Sequence, residues 1–175
     1  DAYLEFLKSG GSDYPLAILN RVGVDMTTKK PIEKAIKMFE KFKIFTRAEL
    51  YSRAEILYEI YSKTINIEAR TMIDMASKQV MPTVMKYTRQ LADTVLAVQR
   101  AGASPRAQEK LLTEVSDLLE KAQDALEKLK DDEAKAAQLS DEKEKAFFYK
   151  DTIKADMEAL REPVDELEML VDKEM

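Results

Sequence analysis

Four carboxylates, Glu55, Glu59, Glu68 and Asp74, recur along one stretch of the chain, and oxygen ligands of this kind can hold Mg²⁺ or Ca²⁺. Glu68 is the best placed of them, because it falls beside the apolar seam between Ile65 and Met72. The simpler reading pairs it with an Arg or Lys across a helical bundle, as a buried carboxylate requires, and that reading is preferred. The rest of the chemical repertoire is narrow. The 175 residues include no cysteine and no histidine. Disulfides, thiolate nucleophiles, histidine-based zinc sites and triads with a histidine base are therefore excluded. No catalytic, cofactor-binding or metal-ligating residue is assigned, and no cofactor is expected.

The segment that carries these acids reads as one amphipathic helix from Thr46 to about Arg100. Apolar or small residues at Leu50, Ala54, Leu57, Tyr61, Ile65, Ala69, Met72, Ala76, Val80, Val84, Tyr87, Leu91, Val95 and Val98 follow steps of three or four, the helical period. Thr46 and Glu49 have capping-box spacing, and Phe45 stands at the staple position for Leu50. At 1.5 Å per residue the helix would be roughly 80 Å long. Its apolar spacing averages about 3.7, which predicts little left-handed supercoiling. Pro82 lacks an N–H and crowds the preceding turn, so a bend is expected between Lys78 and Met81.

Ala101-Gly102-Ala103 should end that helix, with Ser104 capping the next and Pro105 in its first turn. The second long helix carries Leu111, Leu112, Val115, Leu118, Leu119, Ala122, Leu126 and Leu129 inward and extends towards Gln138. Leu139-Ser140-Asp141 reads as a turn with Ser140 as cap. A final helix runs from Glu142 to about Lys173, bent at Pro163, with Ala146, Tyr149, Ile153, Met157, Leu160, Val164, Leu167 and Val171 inward. Short connections make such helices antiparallel. The fold class is all-α: an elongated antiparallel three-helix bundle with a small N-terminal helical appendage. The expected domains are 1–44 and 45–175.

In the appendage, residues 1–9 and a segment after Ser12 read as short helices, and Val24-Asp25-Met26-Thr27 as a connector. A third short helix, capped by Thr28 with Pro31 in its first turn, would end near Lys43. The Gly10-Gly11-Ser12 loop reads as a helix stop rather than an anion cradle. Met72, Met75, Met81 and Met85 read as core filling, and Lys121 to Lys135 as a solvated face. Tyr51, Leu57, Tyr58 and Tyr61 are the candidate interface residues, since no helix is expected to cover that end of the long helix.

Charge is uneven: residues 1–45 hold eight Lys/Arg against six Asp/Glu, the remainder twenty against twenty-seven. An acidic bundle repels phosphate backbones, so no nucleic-acid partner is expected. No apolar run reaches about 18 residues, so no membrane partner is expected either. Without a secretory pattern the location should be cytoplasmic. The start at Asp1 and stop at Met175 suggest a fragment.

From about residue 43 onward the chain resembles the C-terminal helical region of type III glutamine synthetases. The resemblance rests on FTRAELYSRAEILYEIYSKTINIEARTMIDMA (45–76), VMPTVMKY (80–87) and AFFYKDTIKADMEALREPVDELEMLVDKEM (146–175). The Trp-Pro-containing tail that follows in the family is missing. Residues 3–39, with Phe-Leu-Lys-Ser-Gly-Gly-Ser and Gly-Val-Asp-Met, resemble instead the C-terminal end of oligoendopeptidase F-type zinc metallopeptidases. The overlap at Ile36 to Ile44 suggests an engineered or mis-assembled junction. Both families keep their metal ligands and catalytic residues upstream of the matching segments, so none carries over. The resemblance implies a non-catalytic structural or oligomerisation module whose partners are the parent catalytic domain or other subunits of a homo-oligomer. The alternatives are a fragment of an active ligase or peptidase that lacks its catalytic segments, or an engineered helical chimera.

Overall fold

A computed structural model describes residues 24–25, 30–31 and 33–171. It shows two two-residue strands, β1 (Val24–Asp25) and β2 (Lys30–Pro31), followed by α1 (Glu33–Lys41), α2 (Arg47–Met75), a π-helical turn (Ala76–Val80), α3 (Met81–Arg100), α4 (Arg106–Gln138), α5 (Glu142–Phe148), a second π turn (Tyr149–Ile153) and α6 (Lys154–Leu170). The protein is an all-α helical bundle apart from the β1–β2 ladder. That ladder is antiparallel, pairing Val24 with Pro31 and Asp25 with Lys30. It replaces two expectations: Val24-Asp25 is not a plain connector, and Pro31 lies in a strand rather than a first helical turn. An edge strand tolerates Pro because its N–H side needs no partner. The expected helices before residue 24, the Gly10-Gly11-Ser12 loop and the Thr28 cap lie outside the described residues.

The described residues within Asp1–Ile67 and Ala136–Asp151 form one compact unit; those within Glu68–Lys135 and Thr152–Met175 form a second. In the first, α1 closes in a Schellman turn: Lys43 N–H donates to Glu40 O (3.0 Å) and Ile44 N–H to Phe39 O (3.0 Å). Lys43 takes the left-handed conformation that closure needs, at φ 52°. Lys43→Gly should therefore raise the unfolding free energy by about 0.5–1 kcal/mol, since the roughly 1–2 kcal/mol strain of a side chain in that region outweighs glycine's added backbone entropy. A urea midpoint unchanged or lowered would contradict this. α2 then starts as expected. Thr46 N–H donates to Glu49 Oε2 (2.8 Å), and Glu49 N–H returns to Thr46 Oγ1 (3.3 Å). Phe45 packs on Phe39 (centroids 5.7 Å) and lies beneath the Arg53 guanidinium (4.4 Å). The core of this unit includes Ile36, Ala54, Tyr58, Tyr61, Ile65, Ala146, Phe147 and Tyr149, all buried.

In the second unit, α2 and α3 are joined through the π turn just before Pro82. A proline in an α-helix leaves one carbonyl without its donor, and a wider turn is one way for the ladder to accommodate it. The inward residues step from Ala76 to Met81 across that turn, so Met81 is buried where Val80 was expected. Met75 and Met85 are exposed, against the core role expected of them, and Met72 is half-buried. α3 ends in a second Schellman turn: Gly102 N–H donates to Gln99 O (3.0 Å) and Ala103 N–H to Val98 O (3.2 Å), with Gly102 at φ 76°.

Two polar pairs fix direction within this unit. Arg70 Nε donates to Glu133 (2.8 Å) and Gln99 Nε2 to Glu109 (3.1 Å). As α2 and α3 advance, their partners on α4 recede, so the helices are antiparallel. Val115, Leu118, Ala122, Leu126 and Leu129 of α4 are buried, as the stripe predicted.

The last helix differs in detail. Asp141, not Ser140, is its N-cap, accepting from Glu144 N–H at 2.7 Å. Its irregularity lies at Tyr149–Ile153, and α6 continues through Pro163. The buried positions are Ile153, Asp156, Leu160, Pro163 and Leu167, while Met157 and Val164 are half-buried. A 3.6-residue period leaves three-or-four choices open, and the sequence reading had chosen the apolar neighbour each time.

Candidate functional site

The four carboxylates of the long helix do not converge. Glu55 and Glu68 are exposed; Glu59 accepts from Lys63 Nζ at 2.6 Å, and Asp74 pairs with Lys78 one turn on. Among the described residues there is no group of three or more Asp or Glu able to hold a metal ion. Glu68 is thus not the buried cross-bundle acid expected of it: it is exposed, on the solvent side of the seam that Ile65 and Ala69 occupy.

The candidate interface residues separate in the same way. Tyr51 is exposed and Leu57 half-buried, but Tyr58 and Tyr61 are core residues, 4 % and 0 % exposed. The expectation of an uncovered end fails because α5 covers it: the Tyr58 and Phe147 rings lie 6.1 Å apart. Burial, and secondarily the Asp141 carboxylate, raise the Tyr58 hydroxyl above its ordinary value. Tyr58 and Tyr61 face their own fold and cannot anchor a partner.

The buried acids lie elsewhere, in the second unit. Asp132 on α4 and Asp156 on α6 are 7 % and 2 % exposed. Asp132 occupies the inward position between Leu129 and Ala136, Asp156 the one between Ile153 and Leu160. Both carboxyls lie beside the Lys128 ammonium. Lys135 Nζ donates to Asp132 Oδ1 at 2.5 Å, and Lys128 Nζ donates to Asp156 Oδ1 and lies 4.0 Å from Asp132 Oδ2. Asp156 Oδ2 is buried and meets no N–H or O–H donor.

Electrostatics divides the pair. Burial pushes Asp156 above the ordinary value of 3.8, against the pull of Lys128. The Lys135 hydrogen bond holds Asp132 below that value, against its own burial. Lys128 and Lys135 are raised by the carboxylates they contact. Sequence reading missed this cluster because it took Lys121 to Lys135 as solvated. The available signal was a gap: both acids fill seam positions where the period demands an inward residue.

Comparison with known proteins bears on the helical region. Residues 19–99 match the family model of the glutamine synthetase C-terminal domain. Glutamine synthetase of Butyrivibrio fibrisolvens is 33 % identical over 141 residues, and type-3 glutamine synthetase of Dictyostelium discoideum 31 % over 146. The helical region resembles the C-terminal part of type III glutamine synthetases. The matches cover 79 % and 80 % of this chain but 20 % of each relative, so the chain spans about a fifth of their length. A shorter likeness of a different kind is also present: oligopeptidase PepF of Bacillus subtilis is 56 % identical over 41 residues, 23 % of this chain and 6 % of that protein. The glutamine synthetase-like region thus includes α2, its π turn and nearly all of α3. Among the described residues no helix is long and apolar enough to cross a membrane.

Proposed function

We propose that this chain is a non-catalytic helical structural module, the C-terminal region of a type III glutamine synthetase carrying a short oligoendopeptidase-like leader. Residues 1–44 form the leader and 45–175 the bundle. The module packs against the parent catalytic domain or against neighbouring subunits of a homo-oligomer in the cytoplasm. The observation that carries this reading is the match of residues 19–99 to the C-terminal domain model, with alignments that cover a fifth of the relatives' length. A chain without histidine or cysteine fits it, as do carboxylates that pair with lysines rather than gather around an ion.

The contact surface is the exposed side of α2. Tyr51 and the half-buried Leu57 remain candidates there, and Ile56, Ile60 and Ile67 join them, at 51 %, 46 % and 67 % exposed. Ile56, Ile60 and Ile67 share one helical face, being spaced by four and seven residues. Size-exclusion chromatography with light scattering is the direct test. The chain should self-associate, or co-elute with a separately produced glutamine synthetase catalytic region, and Ile60→Lys should abolish whichever contact is found. A strictly monomeric chain that also ignores the catalytic region would end the packing proposal. Assays of ATP-dependent glutamine formation and of peptide cleavage should give no turnover, and robust turnover in either would favour an active fragment.

A further inference from the structure

The exposed isoleucines of α2 form a stripe directly opposite its buried side. A helix turns about 100° per residue, so Ile60 and Ile67 lie about 40° and about 20° from the direction of Ile56. The buried Ala54, Tyr58, Tyr61 and Ile65 lie about 140° to about 200° from it. Charges accompany the stripe in a mirrored order centred on Ile56. Arg53 stands three positions before Ile56 and Glu59 three positions after it. Glu49 stands seven positions before and Lys63 seven positions after. Each acid is therefore balanced by a base at the same distance on the other side. Farther out, Phe45 and Ile67 are both apolar and stand eleven positions before and after.

The foot of the stripe is concave. A cavity of about 490 Å³ there is lined by Glu40, Lys43, Ile44, Phe45, Thr46 and Glu49, and Ile44 is 55 % exposed. Glu49 lies about 20° from the direction of Ile56, so the cavity stands on the same side of the helix as the isoleucines.

We propose, on the footing that this side of α2 is the module's contact face, that it pairs with α2 of a second copy of the chain, antiparallel, with the two-fold axis at Ile56. Ile56 then meets the second copy's Ile56, Arg53 faces its Glu59 and Glu49 faces its Lys63, each charged contact occurring twice by symmetry. Ile67 of each copy comes level with Phe45 of the other and enters the cavity beside Ile44. A parallel pairing in register would set every one of these charges against its own kind. A partner of different sequence would need no mirrored order about Ile56. The Glu59–Lys63 pair within one copy leaves both side chains open to a second contact, at 45 % and 70 % exposed. Burial of the isoleucines supplies the attraction, and the charges fix the direction.

Cross-linking tests the axis. The chain has no cysteine, so Ile56→Cys supplies its only thiol. At a two-fold axis that thiol faces its own copy, within the reach of a disulfide. With copper-phenanthroline and dioxygen as oxidant, the Ile56→Cys chain should convert mainly to a covalent dimer. The Ile67→Cys chain should not, because its two thiols stand at opposite ends of the pairing, about 33 Å apart.

Charge exchange tests the direction. Arg53→Glu and Glu59→Arg each place like charges together at two symmetric contacts, and each should weaken self-association about tenfold. An equimolar mixture of the two chains restores opposite signs at both contacts, and light scattering should show dimers again. That recovery also shows that both variants fold. Ile67→Cys cross-linking as readily as Ile56→Cys, or a mixture no better associated than either variant alone, would overturn the pairing. A chain that stays monomeric but co-elutes with the catalytic region would overturn it too, while leaving α2 as the module's contact face.

Discussion

Replacing Tyr61 with alanine should destabilise the chain by about 3–5 kcal/mol, the range found when a fully buried aromatic is truncated in a core. Tyr61 has no solvent exposure, and Ile65 one turn on has none either. Truncation leaves a void that neighbouring helices can close only in part, so the lost transfer free energy is joined by a cavity term. Tyr51, 41 % exposed on the same helix, supplies the contrast: at the lower protein concentration, where the chain is unassociated, its replacement by alanine should stay within about 0.5 kcal/mol. Urea unfolding at two protein concentrations reads both. A core residue gives a loss independent of concentration, whereas an interface residue gives one that grows as the chain associates. Equal losses for Tyr51 and Tyr61, or a strong concentration dependence for Tyr61→Ala, would restore Tyr61 to the interface.

The second large effect belongs to the other unit. Leu129→Ala should lower stability by about 2–5 kcal/mol, because Leu129 is fully buried in the α4 seam. Leu129→Met conserves volume and should cost less than about 1.5 kcal/mol. If alanine and methionine behave alike, Leu129 is not the packed core residue described.

The two cores and the acid pair differ in how far the chain's residues announce them. The Thr46–Glu49 box and the Gly102 stop are local devices, satisfied by backbone groups within a few residues, and the structure makes both bonds as read. The α4 stripe from Val115 to Leu129 was equally plain. The covering of Tyr58 and Tyr61 was not, because it depends on where α5 lies after the turn at Leu139–Asp141. Asp132 and Asp156 were missed for a related reason. A charged residue taken alone is assigned to solvent, and only a partner on another helix makes its burial tolerable.

Residue order alone was enough to determine the helical bundle, its main stops, its antiparallel order and the want of histidine and cysteine chemistry. These follow from periodicity, caps and composition, which act over one or two helical turns. Tertiary packing decided which aromatic residues are covered, whether Met157 or Asp156 points inward, and which carboxylates are buried beside a lysine. The 3.6-residue repeat leaves the facing residue ambiguous by one position. Only contact between helices far apart in sequence resolves that choice, and it turned Asp132 and Asp156 inward.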